Sequence, residues 1–303
     1  MIVLAGPTAS GKTELAVSLA LRTNAEIVSA DSRQVYRLLD AATAKPSADA
    51  RASVPHWLLD AADPAETYDA ARFAREAAAA VADIRRRGKT PIVCGGSGLY
   101  IRALTEGLSP LPPRDEAVRA RLTALAKREG RRSLHARLEK FDPKAAAAIP
   151  AGNVQRAIRA LEVLELTGRP ISASWSEKRS GGAAADAVLL LEVPNEILRA
   201  RIETRARAMW PALLSEVRAL VPSRFRGDEP GFTSLGYREA VSVVRGDLSA
   251  EKGLDATLGA THAYAKRQRT WFRGQLSGAV VVPAGETPDK TLVNALAALE
   301  RIR

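Results

Sequence analysis

The sequence begins MIVLAGPTASGKTELAVSLALRT over residues 1–23, and this stretch decides the fold. MIVLA is a short apolar run typical of a buried strand, GPTASG is a glycine-rich turn, and KTELAVSLALRT repeats its apolar residues at helical spacing. The residues from Gly6 to Thr13 match the phosphate-loop pattern G-x-x-x-x-G-K-[ST] in full. A strand, this loop and a helix in that order predict a phosphate site in an α/β domain.

Each residue type in this loop has a physical role. Glycines let the backbone curl so that successive N–H groups point at phosphate oxygens, and the helix N-terminus adds its positive end. We expect Lys12 to neutralise the terminal phosphate and the Thr13 hydroxyl to ligate Mg²⁺. A glycine turn with a purely structural role is the alternative. The predicted phosphate-binding residues are Gly6, Pro7, Thr8, Ala9, Ser10, Gly11, Lys12 and Thr13.

Short apolar strands alternate with helical segments along the rest of the chain, which predicts an α/β fold with a parallel sheet. The further strand segments are EIVSADS (26–32), GKTPIVCGGSG (88–98), AVLLLEV (187–193) and AVVVP (279–283). From Ser109 the proline-rich LSPLPPRDE leads into helical patterns without a clear strand. We therefore predict a catalytic core at 1–108 and 186–303, interrupted by a helical insertion domain at 109–185.

Composition limits the class of protein. Of 303 residues, 46% are hydrophobic and 26% are charged, which is typical of a globular protein and argues against disorder. The single cysteine, Cys94, excludes an internal disulfide and suits the cytoplasm. We expect no secretion signal and no membrane segment. The formal charge of +11 favours a polyanionic partner, although many basic proteins merely carry solvated surfaces.

The position of carboxylates bears on the reaction. Most phosphate-loop enzymes place an acid after an apolar strand to organise Mg²⁺, but here residues 92–94 are followed by the glycine loop Gly95-Gly96-Ser97-Gly98. Asp31, at the end of the second strand, is the best-placed acid. Ligands gather at the carboxyl ends of parallel strands, so Asp31, Lys12 and Ser97 should face one crevice. A small-molecule kinase and an RNA-binding protein that uses nucleotide as a switch remain alternatives.

Seven ordered motifs resemble one family, the tRNA dimethylallyltransferases, also called tRNA isopentenyltransferases. The resemblance covers nearly the whole chain. Its motifs are GPTASGKT (6–13), SADSRQVY (29–36), TAKP (43–46), GGSGLYI (95–101), QRAIRALEV (155–163), SLGYRE (234–239) and KRQRTWFR (266–273).

The resemblance implies a P-loop-kinase-like core with a helical insertion, working as a monomer with Mg²⁺. The substrates would be dimethylallyl pyrophosphate and the anticodon loop of tRNA, with transfer to N6 of adenosine 37, just 3′ of the anticodon. The phosphate loop and Arg205 would bind the pyrophosphate. Asp31 would contact the N6 amine as general base or orienting acceptor, because an exocyclic amine is a poor nucleophile. Ser97 is the second predicted catalytic residue.

The resemblance also implies tRNA contacts at residues 31–34 and 155–159, and the basic residues beside Trp271 and Phe272 indicate a third group. Asn153 can cap a helix that places Gln155, Arg156 and Arg159 on one face, and a merely solvated helix face is the alternative. Trp271 is assigned either to base stacking or to the core. The predicted tRNA-binding residues are Asp31, Ser32, Arg33, Gln34, Arg119, Gln155, Arg156, Ala157, Ile158, Arg159, Lys266, Arg267 and Gln268.

The sequence departs from the family pattern at two places. Ser97 stands where the family usually has threonine, so the hydroxyl is kept but the methyl group that restricts its rotamer is lost. Leu213 replaces a usual glycine, and Trp210-Pro211 is unexpected inside a predicted helix. Arg201, Arg205 and Met209 nevertheless keep a four-residue spacing, which predicts that they share one helix face.

Overall fold

The chain forms two compact units in the computed structural model, which describes residues 1–177, 179–276 and 278–302. The first unit combines Met1–Thr105 with Ala183–Arg303, and the second consists of Glu106–Gly182. Within the described residues, no helix combines enough length with enough apolar character to span a bilayer.

The first unit is built on a six-stranded sheet. Its strands are β1 (Ile2–Ala5), β2 (Ala25–Ser29), β3 (His56–Trp57), β4 (Thr90–Gly95), β5 (Ala187–Glu192) and β6 (Val280–Pro283). All strand pairs are parallel, and the spatial order is β3-β2-β4-β1-β5-β6. The predicted α/β fold with a parallel sheet is confirmed. The sequence analysis missed β3, because its two residues are too few to show a strand pattern.

Twelve α-helices accompany the strands in the described residues. They are α1 (Lys12–Thr23), α2 (Ala48–Ser53), α3 (Ala70–Arg86), α4 (Gly98–Thr105), α5 (Glu116–Glu129), α6 (Ser133–Phe141), α7 (Pro143–Ala148), α8 (Val154–Thr167), α9 (Asn195–Leu220), α10 (Tyr237–Val244), α11 (Ala250–Gln275) and α12 (Pro288–Glu300). Two short 3₁₀ helices cover Ile171–Ser176 and Pro230–Thr233. Helices α5 to α8 belong to the second unit, and the other eight belong to the first.

Alternate strand residues enter hydrophobic layers on opposite faces of the sheet. Val3 and Val93 lie in the layer that contains buried residues of α3, α4, α9, α10 and α11. Their neighbours Leu4 and Ile92 lie in the layer formed with α1 and α12. Since both faces are covered, the strands are nearly continuous hydrophobic runs. Because the strands are parallel, the loops that follow β1, β2 and β4 all leave the sheet at the carboxyl ends of the strands, where ligands bind in such folds.

Helix α9 contains the second departure from the family pattern, Trp210-Pro211 with Leu213. It runs without a break for 26 residues and contains Pro211 in its interior. Trp210, Leu213 and Leu214 are buried in the core of the first unit. The helix thus accommodates its proline because the flanking apolar side chains are held by tertiary packing.

The second unit has its own hydrophobic core. Leu122, Leu134, Leu138 and Leu161 of α5, α6 and α8 are almost fully buried there. The carboxylate of Asp142 is buried as well, and it accepts hydrogen bonds from the N–H groups of residues 145 and 172 at 3.0 and 2.9 Å. A buried carboxylate is tolerated in this core because backbone donors replace its lost water.

The first unit also contains a buried carboxylate, that of Glu26. It lies near the amino end of β2 and links this strand to β3 and to the end of α3. Glu26 on β2 is 1% exposed and accepts hydrogen bonds from Arg87, from Lys89 at 2.9 Å and from the Trp57 indole at 2.9 Å. The bonds from Arg87 outweigh the opposing effect of burial, and with Lys89 and Trp57 they hold the pKa of Glu26 at about 2. Glu26 therefore stays ionised in the folded protein.

We expect this carboxylate to make stability depend on pH. The folded pKa of Glu26 lies below its ordinary value of 4.5, so its contribution is complete above that pH and is lost as the pH falls towards 2. Glu26→Gln should be less stable near neutral pH and should lose less stability on acidification. Unfolding midpoints of both proteins between about pH 7 and pH 3 test this. Parallel curves would contradict it.

Candidate active site

The phosphate loop lies between the end of β1 and the start of α1. Gly11 precedes the helix with φ of 89°, a left-handed conformation that disfavours side chains. The N–H of Ser10 donates to the carbonyl of Pro7 at 3.3 Å, which closes the loop on itself. As the N-cap residue, Gly11 has no side chain that could bond the first N–H groups of α1, so these groups can bind an anion.

Lys12 lies half-buried at this helix terminus. Its Nζ donates to the carbonyl of Pro7 at 3.3 Å. Burial lowers the pKa of Lys12, whereas the Asp31 carboxylate nearby raises it. A cation with little water around it interacts strongly with phosphate, because the solvent that would screen the charge is excluded.

Helix α9 brings two further guanidinium groups to the loop. Arg205 Nη2 donates to Thr8 Oγ1 at 2.8 Å, and Arg201 Nη1 donates to the carbonyl of Ser10 at 3.3 Å. Burial lowers the pKa of Arg205, and Asp31 opposes that effect. An arginine remains protonated in such a setting. The four-residue spacing of Arg201 and Arg205 thus places both on the face that meets the phosphate loop.

Asp31 and Ser97 lie after two neighbouring strands, β2 and β4. Asp31 Oδ1 accepts the N–H of Arg33 at 2.9 Å, which fixes the carboxylate in a tight turn. The N–H of Ser32 donates to Ser97 Oγ at 2.9 Å, and the N–H of Ser97 donates to the carbonyl of Ala30 at 3.1 Å. The two predicted catalytic residues are therefore tied together through the backbone of residues 30–33.

Tyr264 on α11 completes this cluster and was missed by the sequence analysis. Burial and then the nearby Asp31 raise the pKa of Tyr264 to about 12, and the neighbouring Ser97 side chain opposes that effect. The phenol therefore remains a proton donor at neutral pH. The available signal was its position four residues before Gln268, which places Tyr264 one helical turn from a residue of the KRQRTWFR motif.

One cavity of about 100 Å³ in the first unit is lined by Lys12, Asp31, Arg205 and Tyr264, whereas the predicted catalytic residue Ser97 is not among its lining residues. One part of its wall is polar and includes Lys12, Thr13, Asp31 and Arg205. Another part of the wall is apolar and is made mostly by helix α9. The apolar lining residues are Ala42, Ala44, Ile202, Ala206, Met209, Trp210, Leu213 and Leu235. Such a cavity suits a molecule with an anionic head and a short apolar tail.

The side-chain oxygen atoms near Lys12 can be compared with the ligands that Mg²⁺ takes in proteins. Thr13 and Asp31 both line the cavity, whereas the described residues contain no cluster of three or more His, Cys, Asp or Glu side chains arranged to hold a metal. Mg²⁺ typically takes one or two protein oxygens and completes its shell with substrate phosphates and water. The hydroxyl of Thr13 at the phosphate loop fits that requirement.

The predicted RNA contacts of the first unit lie in different environments. Lys266 and Arg267 are exposed, whereas Gln268 is only 6% exposed. Gln34 is buried too, and its side chain accepts from Ser29 at 3.1 Å and donates to the carbonyl of residue 44 at 2.9 Å. Arg33 lines the cavity. Trp271 packs its ring against Gly98, where a Cβ would overlap it, and edge-on against Phe272, which favours the core assignment.

The predicted contacts on α8 in the second unit also divide by burial. Gln155 and Arg156 are exposed, whereas Ala157 and Ile158 have their side chains in the core. Arg159 donates to Glu162 at 2.7 Å and to the carbonyl of residue 112 at 2.7 Å. Glu162 is fully buried and accepts from Arg119 as well, at 3.1 Å. Burial raises the pKa of Glu162, but Arg159 and its other partners outweigh this and lower it.

Comparison with known proteins agrees with this geometry. A family model described as IPP transferase matches residues 34–275. The chain is 48% identical over 285 residues to a tRNA dimethylallyltransferase of Anaeromyxobacter dehalogenans (strain 2CP-C), covering 93% of this chain and 95% of that protein. It is 47% identical over 282 residues to a protein of the same name from Halorhodospira halophila, covering 92% and 91%. The solved full-length tRNA isopentenylpyrophosphate transferase from Bacillus halodurans is 34% identical, with a TM-score of 0.69 over 99% of this chain and 97% of that chain. The chain belongs to the IPP transferase family.

Proposed function

We propose that this transferase moves the dimethylallyl group of dimethylallyl pyrophosphate to N6 of adenosine 37, beside the anticodon of tRNA, and releases pyrophosphate. The observation that carries the proposal is the cavity in which Lys12 and Arg205 face the same space as the apolar wall of α9. The two cations suit a pyrophosphate. The apolar wall suits a five-carbon prenyl group, which gains free energy by leaving water.

The apolar wall distinguishes this proposal from a small-molecule kinase. A kinase needs its phosphate loop beside a polar acceptor and draws no benefit from Met209, Leu213 and Leu235 at the same cavity. A prenyl donor uses both parts. An RNA-binding switch that holds a nucleotide at the phosphate loop likewise draws no benefit from this apolar wall.

In the proposed reaction, the N6 nitrogen attacks the first carbon of the dimethylallyl group as the bond from that carbon to the pyrophosphate oxygen breaks. Positive charge develops on the nitrogen, and Asp31 orients the amine and accepts its proton. Negative charge develops on the leaving pyrophosphate, where Lys12, Arg205 and the loop N–H groups stabilise it. The Ser97 hydroxyl accepts the N–H of Ser32, which ties it to the turn that carries Asp31.

Mg²⁺ is the proposed cofactor. Thr13 would supply one protein oxygen to the ion, and pyrophosphate oxygens and water would supply the others. Bound there, the ion would add positive charge to the leaving-group end of the site. The protein contribution at that end remains the cationic pair Lys12 and Arg205 with the N-terminus of α1.

The tRNA is proposed to contact both units. In the first unit, exposed Lys266 and Arg267 suit phosphates, and Arg33 lines the cavity that the adenine must reach. In the second unit, Gln155 and Arg156 are the exposed polar residues of α8. The target base has to leave its stack to reach a buried donor, as in other enzymes that modify bases. We place this reaction in the cytoplasm and assign it to a monomer.

Purified protein, labelled dimethylallyl pyrophosphate, Mg²⁺ and bulk tRNA test the proposal. Digestion of the tRNA to nucleosides should yield labelled N6-dimethylallyladenosine, and sequencing of the labelled fragment should place it beside the anticodon. Phosphoryl transfer from ATP without labelled tRNA would support the kinase. Tight tRNA binding with no labelled product would support the binding protein. Either result would overturn the proposed reaction.

The α8 contacts give a prediction with a built-in comparison. Arg156→Ala should weaken tRNA binding and reduce its salt slope by about 1, since one phosphate contact fewer releases fewer counterions. Arg159→Ala should instead lower the stability of the second unit by about 1–3 kcal/mol, because it removes a donor from buried Glu162. A salt series of tRNA binding and thermal unfolding of both variants separate the two. An unchanged salt slope in Arg156→Ala would indicate that the exposed face of α8 is merely solvated and does not contact tRNA.

A further inference from the structure

One face of α11 meets both loops of the site. Tyr264, Gln268 and Trp271 follow each other at four and three residues, the spacing of one helix face. Tyr264 lines the same cavity as Asp31, and Trp271 packs on Gly98. Gln268 lies between them, where the glycine loop meets the phosphate loop. This face is separate from the exposed Lys266 and Arg267, so one helix carries two different surfaces.

The side chain of Gln268 bridges the two loops with a pair of hydrogen bonds. The N–H of Thr8 in the phosphate loop donates to Gln268 Oε1 at 2.8 Å. Gln268 Nε2 donates to the carbonyl of Gly96 in the glycine loop at 2.8 Å. Gly96 has no room for a Cβ, because that atom would overlap Gln268 Nε2. An amide is suited to this place, since it offers one acceptor and one donor on a rigid plane.

We infer that Gln268 is a positioning residue for prenyl transfer, which holds the phosphate loop at a set distance from the glycine loop that carries Ser97. The inference rests on the proposed function. In that function the phosphate loop binds the leaving group, and the Ser97 side carries the amine and Asp31. The bridge therefore sets the separation between the attacking nitrogen and the reacting carbon. Displacements of about 1 Å between reacting groups can cost about a hundredfold in rate.

This role differs from the tRNA contact that the sequence motif implies for Gln268. Both polar atoms of the buried amide are engaged within the protein, which leaves little of the side chain for RNA. The two roles predict opposite kinetic results. Loss of a tRNA contact raises the tRNA concentration needed for half-maximal rate, whereas loss of the bridge slows the step that follows binding.

The test uses Gln268→Met, which keeps the length of the side chain and removes both hydrogen bonds, and Gln268→Glu. The carboxylate of the second variant can accept from Thr8, but it places an oxygen against the carbonyl of Gly96. Gln275→Met is the matched control, because Gln275 is exposed on the same helix and bonds Arg102 instead of the loops. Single-turnover transfer at saturating tRNA, tRNA affinity and affinity for inorganic pyrophosphate are measured on each protein.

We expect both Gln268 variants to lose about tenfold to a hundredfold in single-turnover rate. Their affinities for tRNA and pyrophosphate should stay within about threefold of wild type, because Lys12, Arg205 and the exposed cations are intact. The control should match wild type. A near-normal rate with weakened tRNA binding, or recovery of the rate in Gln268→Glu, would overturn the inference. Inactive wild-type protein would instead reject the proposed function.

Protein stability is followed in the same samples, because a buried substitution can unfold a protein. If Gln268→Met does not fold, the test uses wild type and Gln268→Glu instead, and hydrogen exchange of the Thr8 amide is measured on both proteins. The bridge predicts that this amide is protected in wild type, and that Gln268→Glu, which still accepts from Thr8, is nevertheless slow in transfer. An unprotected Thr8 amide in wild type would refute the bridge.

Discussion

Asp31→Asn is expected to reduce single-turnover prenyl transfer by about a hundredfold to ten-thousandfold, the range that general-base assistance commonly contributes. The substitution keeps the shape of the side chain, and an asparagine oxygen can still accept the N–H of Arg33 that anchors the turn. It removes the negative charge and the basicity that the N6 amine needs as its new bond forms. The affinity for tRNA should change far less than the rate.

A magnesium titration separates this role from metal binding. If Asp31 held Mg²⁺ in a kinase reaction, the substitution would chiefly weaken metal and nucleotide binding, and excess Mg²⁺ would partly restore the rate. Asp255→Asn, an exposed change on α11, serves as the matched control and should transfer at the wild-type rate. Transfer by Asp31→Asn at a near-normal rate, or its full rescue by metal, would remove Asp31 from the catalytic position.

Lys12→Ala is expected to lower the transfer rate by about a hundredfold to a thousandfold, as other losses of a preorganised charge-stabilising donor do. Lys12 is half-buried beside the helix terminus that would receive the pyrophosphate, so its charge is screened there less than in open water. Affinity for pyrophosphate should fall as well. Affinity for tRNA should remain, because the proposed RNA contacts lie on other side chains. Single-turnover kinetics with separate binding measurements for the two ligands check this division.

Stability provides the control for Lys12→Ala. Burial lowers the pKa of Lys12, which means that the fold holds its charged form at a cost, so the alanine variant should unfold at a temperature no lower than wild type. Lys252→Ala removes an exposed lysine at the start of α11 and should leave transfer unchanged. Collapse of tRNA binding in folded Lys12→Ala would contradict the division of the two substrates between different surfaces.

Local patterns in the sequence were sufficient for the phosphate loop and for five of the six strands, all except β3. The run MIVLA, the turn and the periodic helix after it identify β1 and α1, because strand and helix periodicity are properties of consecutive residues. The same holds for β6, predicted at 279–283 and found at Val280–Pro283. The insertion was placed at 109–185 from its prolines and helical patterns, and the compact second unit spans Glu106–Gly182. The predicted tRNA contacts remain predictions.

The sequence by itself determined the parallel α/β fold, the phosphate loop and the family, because each is carried by neighbouring residues in fixed order. Only the tertiary structure decided which way the side chains of those motifs face. Gln268 turns inward to the loops while Lys266 and Arg267 remain exposed, and Arg159 turns to Glu162 while Arg156 faces solvent. The partners of Gln268 are 260 and 172 residues away in the chain. The choice between a buried bridge and an RNA contact depends on such distant partners, which periodicity and composition do not encode.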